Sequence, residues 1–82
     1  MRVAVDISLY PLADEYLEPI RDVIARLEAH AGVVVAKNPM STQLRGDFDT
    51  VMDVLRRELR TTFEALPHAV FTIKILNNPH GD

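Results

Sequence analysis

The stretch "VAVDISLYPL", residues 3–12, decides how this chain folds. Val3, Val5, Ile7 and Leu9 alternate with Ala4, Asp6, Ser8 and Tyr10. A period of two turns the first set to one face of a strand and the second set to the other. One face is built for a core. The other shows a carboxylate, a hydroxyl and a phenol in a row. Such a strand belongs to a sheet that is covered on one side only. The reading places it over residues 2–10, with Pro11 as its end.

A loop, "LADEYLE", follows. Pro19 suits the first position of a helix, where a backbone N–H has no intrahelical partner in any case. Ile20, Val23, Ile24 and Leu27 then fall at helical spacing and form one apolar stripe. Gly32, just after His30 and Ala31, is expected to be a left-handed C-terminal cap. "VVVAKN" is rich in β-branched residues and reads as a second strand. "NPMS" is a turn, and "STQLRG" is the third strand, weakly apolar. Gly46 and Asp47 break it. Asp47 is a natural N-cap, and Asp49 complements the positive end of the next helix dipole. Phe48, Val51, Met52, Leu55, Leu59, Thr62, Phe63 and Leu66 trace a long amphipathic face that Pro67 terminates. "AVFTIKIL" is the fourth strand. Val70, Thr72, Lys74 and Leu76 lie on one side of it, and Phe71, Ile73 and Ile75 on the other.

The order β-α-β-β-α-β is the split βαβ, or ferredoxin-like, α+β arrangement, a four-stranded antiparallel sheet with both helices on one face. One domain spans residues 1–78, and "NNPHGD" leads into a loose tail over 79–82. The strongest alternations belong to strands one and four, so those two are expected in the middle of the sheet. The polar row is the uncovered face, where Thr72 and Lys74 join Asp6, Ser8 and Tyr10. Ala4, Val70 and Leu76 share that face. A surface mixing apolar and polar groups suits a partner or a small ligand better than open water.

Composition narrows the function. Eighty-two residues bury one modest core, and a domain this small gains stability by associating with copies of itself. There is no cysteine, which removes disulfide scaffolds, thiolate metal sites and cysteine nucleophiles. The formal net charge of −3 argues against a bulk electrostatic grip on nucleic acid or on an anionic membrane. No apolar run approaches the roughly 20 residues needed to span a bilayer, and no signal-peptide core follows Met1 and Arg2. A cytoplasmic location is the expectation.

The fold is shared by several functions, and each needs its own residues. RNA-recognition domains stack bases on aromatic residues of their sheet, whereas Tyr10 stands alone here and Phe71 turns inward. An acylphosphatase needs a phosphate-cradling loop with an arginine after the first strand. "YPLADEYLE" has neither glycine nor a basic residue. His30, His68 and His80 are scattered without ligand spacing, so no metal site is read from them. Arg56, Arg57 and Arg60 form a basic patch that a solvated helix face explains, with Asp53–Arg57 as an i,i+4 pair. Ser8 and Ser41 have no histidine placed beside them, and no nucleophile–base pair stands out.

Four short motifs occur in one order: "ISLYPL" at residues 7–12, "NPMST" at 38–42, "LRGD" at 44–47 and "TIKI" at 72–75. In this they resemble the small single-domain members of the YkoF-like thiamine/hydroxymethylpyrimidine-binding family. The resemblance covers nearly the whole chain. Family members carry "GPMGT" in the turn, where this chain has Asn38 and Ser41 in place of the two glycines. Asn tolerates the left-handed backbone that glycine supplies; Ser does so less readily. The resemblance implies a non-enzymatic protein that binds thiamine or its hydroxymethylpyrimidine part, with no further cofactor. It also implies assembly with itself, as dimer or tetramer, through the sheets. An aminopyrimidine offers an amino donor and ring-nitrogen acceptors. Asp6 can accept from the amino group, Ser8 can bond the ring, and Tyr10 can stack on it. Met40 is a plastic apolar wall beside Ser41 and Thr42. Thr72 and Lys74 complete the candidate set, Lys74 as the one evident phosphate partner. Leu44 shares the parity of Met40 and Thr42 and reads as buried. Two other readings compete: a ligand-free or regulatory small-molecule-sensing oligomerisation module, and an enzyme using Asp6 as base. The last lacks a second catalytic group.

Overall fold

The computed structural model describes residues 1–79, so the expected tail beyond Pro79, and His80 with it, lies outside the described residues. The elements are β1 (Arg2–Pro11), α1 (Leu17–Glu28), β2 (Val33–Lys37), β3 (Thr42–Asp47), α2 (Phe48–Ala65) and β4 (Ala69–Asn77). All strand pairings are antiparallel, and the order across the sheet is β2-β3-β1-β4. This is the ferredoxin-like α+β fold read from the sequence.

One expectation is corrected by the sheet. β1 is central, but its central companion is β3; β4 is an edge strand. Side-chain hydrophobicity misleads here because β3 is short and one of its three inward positions, Gly46, is packed too tightly to hold a side chain. Its inward positions are Thr42, Leu44 and Gly46. A Cβ on Gly46 would stand 3.0 Å from the Gly32 carbonyl oxygen and 3.1 Å from Val51 Cγ2. A central strand can therefore look weakly apolar when neighbouring backbone and helix approach it closely.

The core lies between the sheet and the two helices. Val3, Val5, Ile7 and Leu9 from β1 meet Val33, Leu44, Val23, Leu27, Val51, Val54 and Leu55. α1 packs over β1 and β2, and α2 over β3 and β1. Phe63 of α2 reaches Phe71 of β4 edge to face, with ring centroids 5.6 Å apart. Such a pair adds about 0.5–1.5 kcal/mol beyond area burial.

The helices differ from expectation at their ends and on one face. α1 starts at Leu17, not Pro19; Pro19 is its third residue, still among those whose N–H would be unbonded. Its C-cap is Ala29 in right-handed geometry, whose N–H bonds back to Ala25 and Arg26. Gly32 is not the left-handed cap. It is glycine because a Cβ there would stand 2.6 Å from Thr50 Cγ2. Asp47 caps α2 as expected, accepting from Asp49 N–H at 3.2 Å. The buried stripe of α2 runs through Val51, Val54, Leu55, Glu58 and Thr62. Phe48, Met52 and Phe63 lie on its flanks, partly exposed.

Glu58 is the unexpected member of that stripe. Arg26 Nη1 donates to its Oε1 at 2.5 Å, and His30 Nε2 donates to its Oε2 at 2.6 Å. Arg26 also reaches the Glu58 carbonyl, Thr62 Oγ1 and Asp22 Oδ2. This network joins the two helices. Burial pushes the Glu58 carboxyl up; the bond from His30 and the bond and charge of Arg26 outweigh it and hold the group below the ordinary glutamate range. His30, read from sequence as a surface residue, is therefore a half-buried structural partner.

Candidate functional site

The site arises from a mismatch of strand lengths. β1 pairs with β4 along Val3–Pro11 but with β3 only along Arg2–Ile7. From Ser8 onward, the β3-side edge of β1 has no strand against it. The turn between β2 and β3 arches over this gap, and α1 crosses above it. A cavity of about 470 Å³ opens there. Its floor is Ile7, Leu9 and Phe71; α1 supplies Ile20, Ile24 and Leu27 as a wall. The turn residues Asn38–Thr42 form the opposite wall, and Tyr10, Leu12 and Tyr16 stand at the mouth. The volume suits a small ligand.

The turn holds its shape through side-chain bonds. Asn38 Oδ1 accepts from the N–H groups of Met40 at 2.8 Å and Ser41 at 3.1 Å, and Asn38 N–H bonds the Ser41 carbonyl. Among the described residues only Asn78 combines a side chain with positive φ. Asn38 therefore serves through an Asx-type turn, not through a left-handed backbone, and Ser41 adopts no left-handed conformation. The Ser41 hydroxyl donates to Asp6 Oδ2 at 3.0 Å and accepts from Gln43 Nε2 at 2.7 Å. Asp6 thus pins the turn to the sheet.

Of the residues singled out from the sequence, Ser8, Tyr10, Met40, Ser41 and Thr42 line the cavity. Thr42 faces the helix side and is only 7 % exposed. Its hydroxyl makes no hydrogen bond within the described residues and stays open to the cavity. Met40 stands on the turn, 86 % exposed. Asp6, Thr72 and Lys74 lie on the uncovered face of the sheet, where Asp6 faces Lys74 and Ser8 faces Thr72 across the β1–β4 pairing. No ion pair joins Asp6 to Lys74 among the described residues; Asp6 bonds Ser41 instead. Sequence reasoning missed Tyr16, Ile20, Ile24 and Phe71 as cavity residues. The apolar stripe of α1 was visible, but which part of it stays uncovered depends on where β3 starts.

The uncovered face itself keeps a mixed character. Tyr10, Val34, Val70 and Leu76 are 52, 64, 44 and 57 % exposed there. Arg45 stands between Val34 and Ala4 in register. No group of three or more potential metal ligands occurs among the described residues, and no described helix is long and apolar enough to cross a membrane.

Known proteins show the same architecture. The model of the YKOF-related family matches residues 2–82. No curated protein matches the chain. Among solved structures, a Streptococcus pneumoniae protein is 25 % identical with a TM-score of 0.88, over 95 % of this chain and 88 % of that one. A Thermotoga maritima protein provisionally assigned to thiamine biosynthesis or salvage is 21 % identical with a TM-score of 0.85, over 98 % of this chain and 87 % of that one. A hypothetical protein from Methanocaldococcus jannascii is 22 % identical with a TM-score of 0.81, over 94 % of this chain and 80 % of that one. At 21 and 22 % identity the last two likenesses establish the fold.

Proposed function

Because the chain belongs to the YKOF-related family, we propose that it binds thiamine or its hydroxymethylpyrimidine moiety without catalysis, as a homo-oligomer and with no resident cofactor. The observation that carries this reading is the cavity, and in it Thr42, a residue only 7 % exposed whose hydroxyl has no hydrogen-bond partner among the described residues and stays accessible from the cavity. A ligand donor or acceptor that bonds this hydroxyl gains about 0.5–1.5 kcal/mol. The apolar floor covers a flat ring, and Tyr10 and Tyr16 can close over it. Ser41, on the turn wall, supplies a further hydroxyl, shared with Asp6 and Gln43. Asp6 acts through Ser41 as a positioning residue. The thiamine assignment of the Thermotoga maritima protein points the same way.

Self-association draws its support from the uncovered sheet face, where Tyr10, Val34, Val70 and Leu76 are all exposed. That face, with Asp6, Thr72 and Lys74, is the one a second copy would cover. The same observation favours a second reading, a ligand-free oligomerisation module. The two separate in one calorimetric experiment against thiamine and hydroxymethylpyrimidine. Binding that weakens about threefold to tenfold in Thr42→Val supports the ligand reading. No heat from either compound at millimolar concentration refutes it. Light scattering behind a sizing column tests assembly, and a monomer at micromolar concentration ends that half of the proposal.

A further inference from the structure

We infer that the cavity selects by charge at its mouth: it admits a flat heterocycle that is neutral or cationic and turns away the same heterocycle once it is phosphorylated. This rests on the reading that the cavity is the ligand site. Its lining holds no charged side chain. The polar groups inside are neutral, and two of them are already engaged. Ser41 Oγ is shared between Asp6 and Gln43, and Asn38 Oδ1 holds the turn. A phosphate drawn inside would exchange its hydration for little more than the hydroxyl of Thr42.

The mouth repels an anion as well. Asp14 and Glu15 lie between the lining residues Leu12 and Tyr16, and Glu18 follows in the first turn of α1; all three are exposed. The positive end of the α1 dipole is the one feature there that would attract phosphate. It is already met by a carboxylate: Glu15 Oε1 accepts from Glu18 N–H at 3.5 Å. Pro19, the third residue of the helix, has no N–H to offer.

The cations are placed elsewhere or matched. Lys74 and Arg45 are on the uncovered face of the sheet. Lys37, beside the turn, pairs with Glu28 at 3.4 Å, and Arg21 pairs with Glu18 at 3.7 Å. His68 meets the mouth through its backbone carbonyl, which accepts from Leu12 N–H. The exposed ring face of Tyr16, about half open to solvent, favours a cation further. Tyr16 is thereby a specificity residue that nothing in its sequence position announced.

Calorimetry at low salt with thiamine, thiamine monophosphate and hydroxymethylpyrimidine tests this. The phosphate adds roughly −1.5 to −2 charges at pH 7. Thiamine is expected to bind about tenfold or more tightly than its monophosphate, the scale of a divalent anion facing two or three carboxylates across roughly 8–10 Å of water. The ratio should shrink as salt rises. It should also shrink in the double variant Asp14→Asn, Glu15→Gln. A merely structural role for the loop would weaken both ligands alike and leave the ratio in place. Equal affinities, or a tighter monophosphate, overturn the charge inference while the binding reading stands. No binding of any of the three overturns both. A ratio unchanged in the double variant shows that these carboxylates do not carry the selectivity. Should that variant fold poorly, the salt series on the wild type decides.

Discussion

Replacing Glu58 by glutamine removes one charge from the only carboxylate among the described residues that is buried between the two helices. Breaking a fully buried ion pair by deleting one partner is destabilising by about 3–5 kcal/mol. Here the figure is smaller, for two structural reasons. The side chains of Glu58, Arg26 and His30 retain 11, 21 and 26 % exposure, so water screens part of the loss. Arg26 also keeps its bonds to Asp22 Oδ2 at 3.0 Å, Thr62 Oγ1 at 2.6 Å and the residue-58 carbonyl at 3.1 Å. Against that, the new amide turns one acceptor into a donor that faces a donor, either Arg26 or His30. The expected loss is about 2 kcal/mol at pH 7, within the range for bonds to charged groups. For a domain of this size that lowers Tm by about 8–16 °C. The pH dependence gives a second readout. The folded-state carboxyl titrates below its ordinary value, so its stabilisation is complete above the ordinary glutamate range and is lost as pH falls through the depressed folded value. Thermal unfolding of both proteins from neutral pH into acid should show the gap between them closing at the acid end. A gap below about 0.5 kcal/mol at pH 7, the level of an exposed pair, would refute the reasoning. So would a gap that persists undiminished in acid.

Four further substitutions probe the frame. Leu44→Ala empties a fully buried position on central β3 and should destabilise by about 3–4 kcal/mol in denaturant unfolding, whereas Leu76→Ala on edge strand β4 should change stability by less than about 0.5 kcal/mol. The reverse ranking would mean that β4 is the central strand after all. Gly46→Ala drives a methyl toward the Gly32 carbonyl and Val51 and should lower stability by about 1–3 kcal/mol by the same measurement, since backbone cannot swing aside. Asn38→Ala frees the N–H groups of Met40 and Ser41; about 1 kcal/mol of stability should go. Amide hydrogen exchange at those two residues should rise, and unchanged protection would show that the turn does not depend on the Asn38 side chain.

The element order was legible in the sequence because each element carried a period of its own. Period two in Val3–Leu9 and β-branched density in Val33–Val35 were enough for strands. Asp47 followed by Val51 and Leu55 was enough for a capped helix. Sheet order was less legible, because β3 carries a glycine at an inward position for a reason that only the close approach of Gly32 and Val51 reveals. Nothing in the sequence around Glu58 announces that it is buried. Its burial depends on Arg26 and His30, 32 and 28 residues away, arriving from the other helix. The candidate site divides in the same way. Ser8, Tyr10, Met40, Ser41 and Thr42 were named from sequence and do line one cavity. Asp6, Thr72 and Lys74 share strand parity with Ser8 and Tyr10 and were grouped with them, but parity assigns a face and not a neighbourhood. The cavity lies where one face ends, at the unpaired edge of β1.

That unpaired edge makes the room for a ligand a matter of counting. Each added pair of residues in a strand advances a ladder by about 7 Å. One more pair along β3 would zip the edge at Ser8 and Tyr10 shut and fill the cavity with backbone; one pair fewer would lay the middle of the core open. The β2–β3 hairpin ends in a surface turn, where insertions and deletions are tolerated. The volume of the cavity can thus be retuned by indels in a surface tip, while Val5, Leu44 and Val51 stay under their own separate constraint.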